Sequence, residues 1–482
     1  IQGNLGATVD EATWVVTAYV IANVVVIPLT PWLQSRFGRK NYFIVSILGF
    51  TAASMLCGMA TSLQTLILFR IVQGAFGGGL LATAQVILRE TYPPELIGTS
   101  QSIFTLGAIL GPSIGPTLGG IITDNLSWQW VFDINLVPGI LAAVLLALYL
   151  RGNTSRKSPV DVPGIALLMI TIGALQYVLD QGQLEDWFSS GAITTFTLIS
   201  VVGAVLFVWW ELRTPMPIVD LRILRRIPVA TASVLGATIA VIIFGALLLL
   251  PQFTVSVLGF TETLAGVLIG MRALPILLLT IPVGRIVNSG KIDVRLLIGA
   301  GLIIASIASI WLSREVTSDS VLWSLALPLA LMGFGIAFVF SPLLVSVLRA
   351  VPPQDAPKAA SFVTLFTQLG GSIASASLVT FTERREDFHQ SVLAAGATLQ
   401  DYAVQTFLRT HPLAELYRTI ATQATVLSFA DAFFVMGVIG IIMSPLVFFL
   451  VRKEPQHART NGVTKNPLAV AAIVRSPSRE RV

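Results

Sequence analysis

The chain has 482 residues, of which 54% are hydrophobic and 11% are charged. This composition, with a mean hydropathy of +0.82, excludes an ordinary soluble domain and indicates an integral membrane protein. The formal net charge of +5 does not indicate nucleic-acid binding, because the basic residues lie between the apolar segments, as they do in membrane proteins.

Thirteen apolar segments are each long enough for a membrane-spanning helix, which needs about 20 residues. Segments of alternating polarity, which are typical of barrel strands, are absent from the sequence. We therefore predict an all-α bundle of spanning helices. The predicted spans are 13–34, 43–60, 64–88, 97–122, 132–150, 162–180, 191–211, 228–250, 263–283, 295–313, 321–346, 359–381 and 429–451.

The chain opens on "IQGNLGATVDEATW", which has the composition of an external connection. Its first residue is Ile and not Met, and we expect one further helix before it in the natural protein, for a total of fourteen. The single cysteine, Cys57, lies in an apolar segment, so the sequence predicts no internal disulfide and no redox chemistry.

Lysine and arginine divide the connections between spans into two sets. The poor set holds Arg314 in a short connection and four arginines in the long connection 382–428. Because cytoplasmic connections carry the excess of basic residues, we predict that the rich set and the C-terminus are cytoplasmic. The rich set comprises Arg36, Arg39, Lys40, Arg89, Arg151, Arg156, Lys157, Arg213, Arg222, Arg225, Arg226, Arg285, Lys291, Arg295, Arg349, Lys358 and the tail from Arg452 onward.

The two ends of the chain resemble each other. A shift of 259 residues aligns Gly74 with Gly333 and Gly111 with Gly370, and it also aligns two Pro-Pro pairs. Parallel repeats of this kind are typical of transporters with a site between the halves, although channels and membrane enzymes also contain repeats. The predicted domains are an N-terminal half 1–150 that lacks its first helix, an inserted helix pair and linker 151–226, a C-terminal half 227–452 with the long outer connection 382–428, and a disordered cytoplasmic tail 453–482.

Charged residues inside spans are costly and are functional candidates by default. Arg70 and Arg272 lie within predicted spans; the alternative is that each reaches the interface or bonds a helix-end carbonyl. Asp133 and Asp431 lie where two spans begin, where an acid most often caps the helix, with proton binding as the alternative. Asp180 lies beside the connection "LDQGQLEDWFSS" and is expected to be in solvent.

Uncharged polar and aromatic residues on the spans are candidates for a largely apolar substrate cavity. Many such residues instead join helices to one another, at about 0.6 kcal/mol each. The cavity candidates are Trp14, Tyr19, Asn23, Gln73, Gln101, Thr367 and Gln368, with Gln85, Gln176 and Tyr177 of the same character.

The segment "GAILGPSIGPTLGG" concentrates poor helix formers within one span. Residues four apart share a helix face, so its glycines predict a strip on which another helix packs closely, and its prolines predict a bend. The segment contains Gly107, Gly111, Pro112, Gly115, Pro116, Gly119 and Gly120.

Catalytic chemistry has little support in the sequence. The histidines are His389, His411 and His457, all in the long connection or the tail, and no metal-binding spacing, P-loop or nucleophile elbow occurs. We therefore predict no enzyme, no cofactor and no ATP-driven transport by this chain. Transport would run on a gradient or on a partner.

The motifs together resemble the major facilitator superfamily, and within it the fourteen-helix drug:proton antiporters of the EmrB/QacA type. The resemblance covers about residues 3–453. It rests on "TWVVTAYVIANVVVIPLTPWLQSRFGRK", "LILFRIVQGAFGGG", "YPPELIG", "GAILGPSIGPTLGG", "SWQWVFDINLVPGI" and "LDQGQLEDWFSS".

The resemblance implies proton-driven export of amphipathic compounds by alternating access across the bacterial inner membrane, without a cofactor. It implies that the segment from Gly107 to Gly120 is the antiporter motif and that Arg70 assists proton transfer. Arg272 falls where many relatives carry arginine, and Asp133 is kept as a third proton-coupling candidate. The residues matching the cytoplasmic gate loop are Arg36, Gly38, Arg39 and Lys40.

Three departures from the family pattern matter. Pro31 and Ser35 stand where the gate loop usually has Gly and Asp, so its charge pairing must differ, and Thr367 replaces a common arginine. The acid usual on the first helix cannot be checked, because that helix is not in the sequence. Relatives from double-membraned bacteria work with a periplasmic adaptor and an outer-membrane channel, so the connection 382–428 is either a docking surface or a local cap.

Competing functions stay open at this point. A dedicated exporter of one metabolite, siderophore or lipid would use the same scaffold. A non-transporting sensor or assembly partner would show no substrate-dependent proton movement. A membrane enzyme is disfavoured, because the spans hold neither histidine nor an acid cluster.

Overall fold

The computed structural model describes residues 9–93, 96–150, 160–398 and 402–450. The described chain is entirely helical, because its long apolar segments can satisfy their backbone groups in lipid only within helices. The α-helices are α1 Val9–Phe37, α2 Arg39–Gly58, α3 Leu63–Gly77, α4 Leu80–Thr91, α5 Ile97–Asn125, α6 Trp130–Asp133, α7 Leu136–Tyr149, α8 Val162–Gln181, α9 Gly191–Arg213, α10 Ile227–Ser256, α11 Glu262–Ser289, α12 Val294–Glu315, α13 Leu322–Ala337, α14 Phe340–Ala350, α15 Ala356–Gly396, α16 Tyr402–Leu408 and α17 Leu413–Met443.

Twelve stretches of the described chain are helical, long and apolar enough to cross a membrane. The glycine-rich α5, with 29 residues, is a further helix of comparable length, so every predicted span corresponds to a helix. Three spans are interrupted, at α3–α4, α6–α7 and α13–α14. The predicted all-α membrane architecture is confirmed, and the chain is a multi-pass membrane protein.

The long connection 382–428 is largely helical, in agreement with the helical periodicity of "FHQSVLAAG" and "LAELYRTIATQATVL" within it. Helix α15 continues to Gly396 and α17 begins at Leu413. The sequence from Thr382 to Ala395 contains neither Gly nor Pro, so nothing in it ends the helix. We call residues 382–396 and 413–428 the helical extension. Asp431 consequently lies inside α17 and not at its start, and a helix-capping role for it is wrong.

The N half (α1–α7) and the C half (α10–α17) repeat one close helix contact. A Cβ atom added at Gly74 of α3 would lie 2.3 Å from the Tyr19 carbonyl oxygen of α1. A Cβ atom added at Gly333 of α13 would lie 1.9 Å from the Arg272 carbonyl oxygen of α11. Only glycine permits such an approach. The two glycines aligned by the sequence repeat thus each allow two helices of their own half to pack closely. The domain limits stay a prediction.

Four helix pairs make the main contacts between the halves. Helix α5 packs against α11 and α14, and α15 packs against α1 and α4. The inserted pair, α8 and α9, packs on itself and touches α1 of the N half and α15 of the C half. The helices at the boundary between the halves are therefore α1, α4, α5, α11, α14 and α15.

Candidate functional site

A cavity of about 170 Å³ lies between the two halves. Its walls are mostly aliphatic and aromatic, and its few polar groups include Gln85 from α4 and Thr367 and Gln368 from α15. Arg272 of α11 supplies its only cationic side chain among the described residues. Apolar walls with a few placed polar groups suit an amphipathic ligand.

Arg272 is held in the wall of this cavity. Its side chain is 4% exposed, and Nη1 donates a hydrogen bond to the Ile243 carbonyl oxygen at 2.8 Å. The described residues place no carboxylate within ion-pair distance of it. The arginine therefore does not reach for the membrane interface; it makes one backbone bond and brings an unpaired charge to the cavity.

Arg70 organises a second cluster, within the N half. Its Nε donates to the Val15 carbonyl oxygen at 2.9 Å and its Nη1 donates to Gln73 Oε1 at 2.7 Å. The guanidinium lies 4.1 Å from the centroid of the Tyr19 ring, a cation–π contact. No described acid pairs with it.

The predicted cavity candidates separate into two groups. Tyr19 and Gln73 contact Arg70, and Asn23 lies next to Tyr19, with its Nδ2 3.5 Å from the Tyr19 hydroxyl. Trp14 lies apart from both groups; its ring packs against Tyr177 of the inserted pair, with 5.7 Å between the ring centroids and a tilt of 32°. The Thr367 and Gln368 side chains line the cavity beside Arg272. The sequence did not predict that these residues divide between two places.

Gln101 belongs to neither group. It is fully buried, and its Nε2 donates to the Gln85 carbonyl oxygen at 2.8 Å. This bond joins α5 to α4 behind a residue of the cavity wall. We assign Gln101 a packing contact and not a place in the cavity lining.

Asp133 ends the short helix α6 beside Arg70's cluster without pairing to it. The ring of the preceding residue, Phe132, has its centroid 5.8 Å from the Arg70 guanidinium. A Cβ atom added at Gly58 would lie 2.5 Å from the Asp133 carboxylate. The three proton-coupling candidates Arg70, Arg272 and Asp133 are therefore not brought into one group.

The glycine strip is not packed in this conformation. No described atom lies within 4 Å of a Cβ atom built on Gly107, Gly111, Gly115 or Gly119. A close-packed seam along these four glycines is therefore not found among the described residues. The side chains of Pro112 and Pro116 and the surroundings of Gly120 lie outside the described residues.

The halves are instead joined at the end of the bundle that carries Arg36, Arg39 and Arg89, which we call the basic end. Asn288 of α11 accepts a hydrogen bond from the Gly98 backbone at 2.7 Å and donates to Thr99 at 3.0 Å. Contacts of the same kind join Ser102 to Ser341 at 2.9 Å and Arg89 Nη2 to the Val351 carbonyl oxygen at 2.9 Å. The described residues therefore join the two halves at the basic end and place no atom within 4 Å of the Cβ positions of Gly107, Gly111, Gly115 and Gly119.

Sequence reasoning missed this closing contact. Each of its members is a single polar residue near the end of a span, which resembles many other residues of that kind. The sequence feature that relates to this contact is a glycine on each of the two helices, Gly98 and Gly284. They allow a close approach, because a Cβ atom added at Gly284 would lie 2.7 Å from the Gly98 carbonyl oxygen.

The gate-loop residues tie the N half together. Gly38 has φ 79°, which favours glycine, and Arg39 forms an ion pair with Glu90 of α4. Lys40 donates to the Ala147 carbonyl oxygen of α7 at 2.7 Å, and Arg36 is also engaged. Glu90, an acid that pairs with the loop, directly follows the interface residue Arg89.

Comparison with known proteins decides the family. The family model of the Major Facilitator Superfamily matches residues 1–375. The chain belongs to this superfamily. It is a membrane transporter and not an enzyme, and the resemblance found in its motifs is confirmed.

Members of the superfamily with known names resemble the chain over most of its length. The multidrug export protein EmrB of Escherichia coli K12 is 35% identical over 82% of this chain and 77% of its own. The fatty acid resistance protein FarB of Neisseria gonorrhoeae is 32% identical over 96% of this chain and 92% of its own. The crystal structure of the human organic anion transporter MFSD10 shares the fold, with a TM-score of 0.59 and 12% identity over 90% of this chain and 83% of that one.

Proposed function

We propose that this chain is a proton-driven multidrug exporter that moves amphipathic compounds by alternating access. The observation that carries the proposal is the cavity between the halves, with apolar walls and the single cation Arg272. The name and extent of the EmrB relative support the same substrate class. A gradient would supply the energy, with no cofactor bound to the chain.

The conformation is the one expected at one extreme of alternating access. The basic end is joined by Asn288, Ser341 and Arg89, while no described atom lies within 4 Å of the Cβ positions of the glycine strip. If the basic end and the C-terminus are cytoplasmic in a bacterial inner membrane, the cavity faces outward here. Export then requires the basic end to open and the strip to close against a neighbour.

Proton coupling is assigned to Arg70, Arg272 and Asp133 by proposal. A carboxylate such as Asp133 binds a proton, while Arg70 and Arg272 each hold an unpaired charge whose electrostatic free energy changes when a nearby group is protonated. Because Arg70 of α3 donates to the Val15 carbonyl oxygen and lies over the Tyr19 ring, both in α1, movement of α1 against α3 would change its surroundings.

A second candidate is export of fatty-acid-like anions. Arg272 is a buried cation without a described counterion, so an anionic headgroup would find a partner in an otherwise apolar cavity. The name of the FarB relative points to the same chemistry. A metabolite or siderophore exporter has no comparable observation in its favour.

The helical extension is a proposed docking surface for a periplasmic adaptor that continues to an outer-membrane channel. It exposes Phe388, Val392, Leu413 and Tyr417, each more than half accessible. Exposed apolar side chains on a helical projection are typical of interaction sites. A local cap over the cavity mouth is the alternative, which predicts that no adaptor copurifies.

Uptake into everted membrane vesicles tests the function. The full-length protein would be expressed, the vesicles energised, and uptake of a lipophilic cationic dye compared with uptake of a fluorescent fatty-acid analogue. We expect uptake that stops when a protonophore is added, and the unpaired cation Arg272 disfavours a cationic dye relative to a neutral or anionic amphiphile. Uptake of the fatty-acid analogue alone would replace the first proposal by the second. Uptake of neither, relative to membranes without the protein, would favour a non-transporting role.

A further inference from the structure

Asp180, near the end of α8, is joined to other helices and not simply solvated as its sequence context predicted. Gln176 Nε2 donates a hydrogen bond to Asp180 Oδ1 at 2.9 Å. The side chain of Thr17, which is buried in α1, also hydrogen-bonds the carboxylate. One acid on the inserted pair is thus bonded to the N half.

The same glutamine joins the acid to the C half. Gln176 Nε2 also lies 3.1 Å from Ser372 Oγ of α15, to which it donates its second hydrogen. The chain Thr17–Asp180–Gln176–Ser372 therefore runs from the N half through α8 to the C half. It lies at the end of the bundle opposite the basic end.

The orientation of Gln176 leaves a buried oxygen unpaired. Gln176 is 1% exposed, and its Oε1 has no hydrogen-bond partner among the described residues. A buried unpaired acceptor is unfavourable, so some other interaction must keep Nε2 of the amide, and not Oε1, facing Asp180 and Ser372. The charge on Asp180 is that interaction, because hydrogen bonds to an ionised carboxylate are about twice as strong as neutral ones.

The charged groups on the elements around Asp180 do not neutralise it. No described lysine, arginine or histidine pairs with it. Glu185 on the following turn accepts hydrogen bonds from Ser190 and Tyr177, which hold the pKa of that carboxyl below its ordinary value. Glu383 of α15 is bonded to Gln183, Asp186 is exposed, and the side chains of Asp10 and Glu11 lie outside the described residues.

We propose that Asp180 is a proton-binding residue through which the pH at this end of the bundle controls how the inserted pair holds the two halves together. The ionised carboxylate orients Gln176 and keeps the link to Ser372. A proton taken from the adjoining water forms the neutral acid, the charge that fixes the amide is lost, and the link loosens. The proton returns to the same water when the acid ionises again. The inference rests on the proposed transport function but concerns its regulation.

The test uses Asp180→Asn, whose amide copies the neutral acid, in the full-length protein. Asp186→Asn is the matched control, because Asp186 is an exposed acid of the same turn whose left-handed conformation asparagine tolerates. Transport is measured in proteoliposomes at several values of pH on the Asp180 side, with the pH difference across the membrane kept constant. Hydrogen exchange of residues 176–190 is measured over the same pH range.

We expect the wild-type protein and Asp186→Asn to change their transport rate with pH on that side, and Asp180→Asn to lose this dependence. Exchange at 176–190 should rise on acidification in the wild type and stay high in Asp180→Asn. A wild-type pH profile in Asp180→Asn, or an equally flat one in Asp186→Asn, would overturn the proposal. If the wild type transports nothing, the function proposed above fails, and the exchange measurement still decides the role of Asp180.

Thr17→Val provides a second variant in case Asp180→Asn does not fold. It removes one donor to the ionised carboxylate, so the acid should be protonated at higher pH. The midpoint of the pH dependence is expected to move to higher pH. No movement, or movement to lower pH, would contradict the role of the carboxylate.

Discussion

Replacement of Gly74 by alanine should separate two helices of the N half. A Cβ atom at position 74 would lie 2.3 Å from the Tyr19 carbonyl oxygen, whereas ordinary contact begins at 3.4 Å. Helices α1 and α3 would have to move apart by about 1.1 Å. The obstacle is a backbone atom, so rotation of a side chain cannot relieve the contact.

Comparison with Gly107→Ala isolates the loss of stability that the close contact at position 74 causes. Both variants gain the higher helix propensity of alanine, about 1 kcal/mol, but a Cβ atom at position 107 meets no described atom within 4 Å. The propensity therefore cancels, and the difference between the variants is the cost of overpacking. We expect Gly74→Ala to be less stable than Gly107→Ala by about 1–3 kcal/mol.

The single cysteine provides the assay. Cys57 is fully buried in the N half and is the only thiol in the chain, so a thiol-reactive dye reports unfolding of that half on heating in detergent. Gly74→Ala should react at a lower temperature than Gly107→Ala and the wild type. Equal unfolding temperatures for the two variants would contradict the expected overpacking, since they would mean that α1 and α3 do not touch at Gly74.

Two further predictions concern the cavity and the closing contact. Arg272→Gln should weaken binding of an anionic amphiphile about 10- to 100-fold, as expected when a hydrogen bond to a charged group is lost. The control Arg285→Gln, on the exposed face of the same helix, should leave the affinity unchanged. Equal affinities of the two variants, measured by calorimetry, would show that Arg272 does not contact the ligand. Asn288→Ala removes both hydrogen bonds from α11 to the start of α5 and should increase the distance between spin labels placed across the basic end. Ser289→Ala, whose hydroxyl bonds within its own helix, should leave that distance unchanged, and an unchanged distance in Asn288→Ala would show that the contact does not hold the end closed.

The membrane architecture could be predicted because apolar length is a local property. Each span had to be a helix about as long as the bilayer is thick, and the repeat at Gly74 and Gly333 predicted equivalent positions without knowledge of any contact. The helical extension showed only as helical periodicity in "FHQSVLAAG" and "LAELYRTIATQATVL", and its length could not be predicted from hydropathy, because residues 382–396 are largely polar. Their helical character comes from the absence of Gly and Pro, which a search for apolar segments does not weigh.

The candidate site was predictable only in its residue types. Arg70 and Arg272 were found because a charge in a span is unusual, yet nothing in the sequence separated the group around Arg70 from the cavity around Arg272. For the glycine strip, the sequence predicted the arrangement of the glycines on their own helix but not which helix packs on them. Its spacing correctly places Gly107, Gly111 and Gly115 along one face, but whether a helix covers that face depends on the conformational state of the transporter, which the sequence does not specify.

Asp180 and Asp431 were both misjudged for one reason. Each lies close to the end of a predicted span, where solvent was the expectation for Asp180 and a helix cap was the expectation for Asp431. In the folded chain Asp431 pairs with Arg385 at 2.6 Å and with His389 at 2.8 Å, because α15 extends far enough to bring those residues beside α17. Partners that come from other helices cannot be read from the acid's own surroundings in sequence.

Substrate-dependent movement of protons is the most direct test of the central claim. The full-length protein would be reconstituted into liposomes with an imposed pH gradient, and internal pH followed while lipophilic cations or fatty-acid-like anions are added. If the protein is a proton-driven exporter, at least one such compound should collapse the gradient faster in these liposomes than in protein-free ones. The Arg70→Ala variant should remain folded and should not show this effect. A gradient that no compound dissipates, under conditions in which the protein is folded and inserted, would contradict proton-driven export.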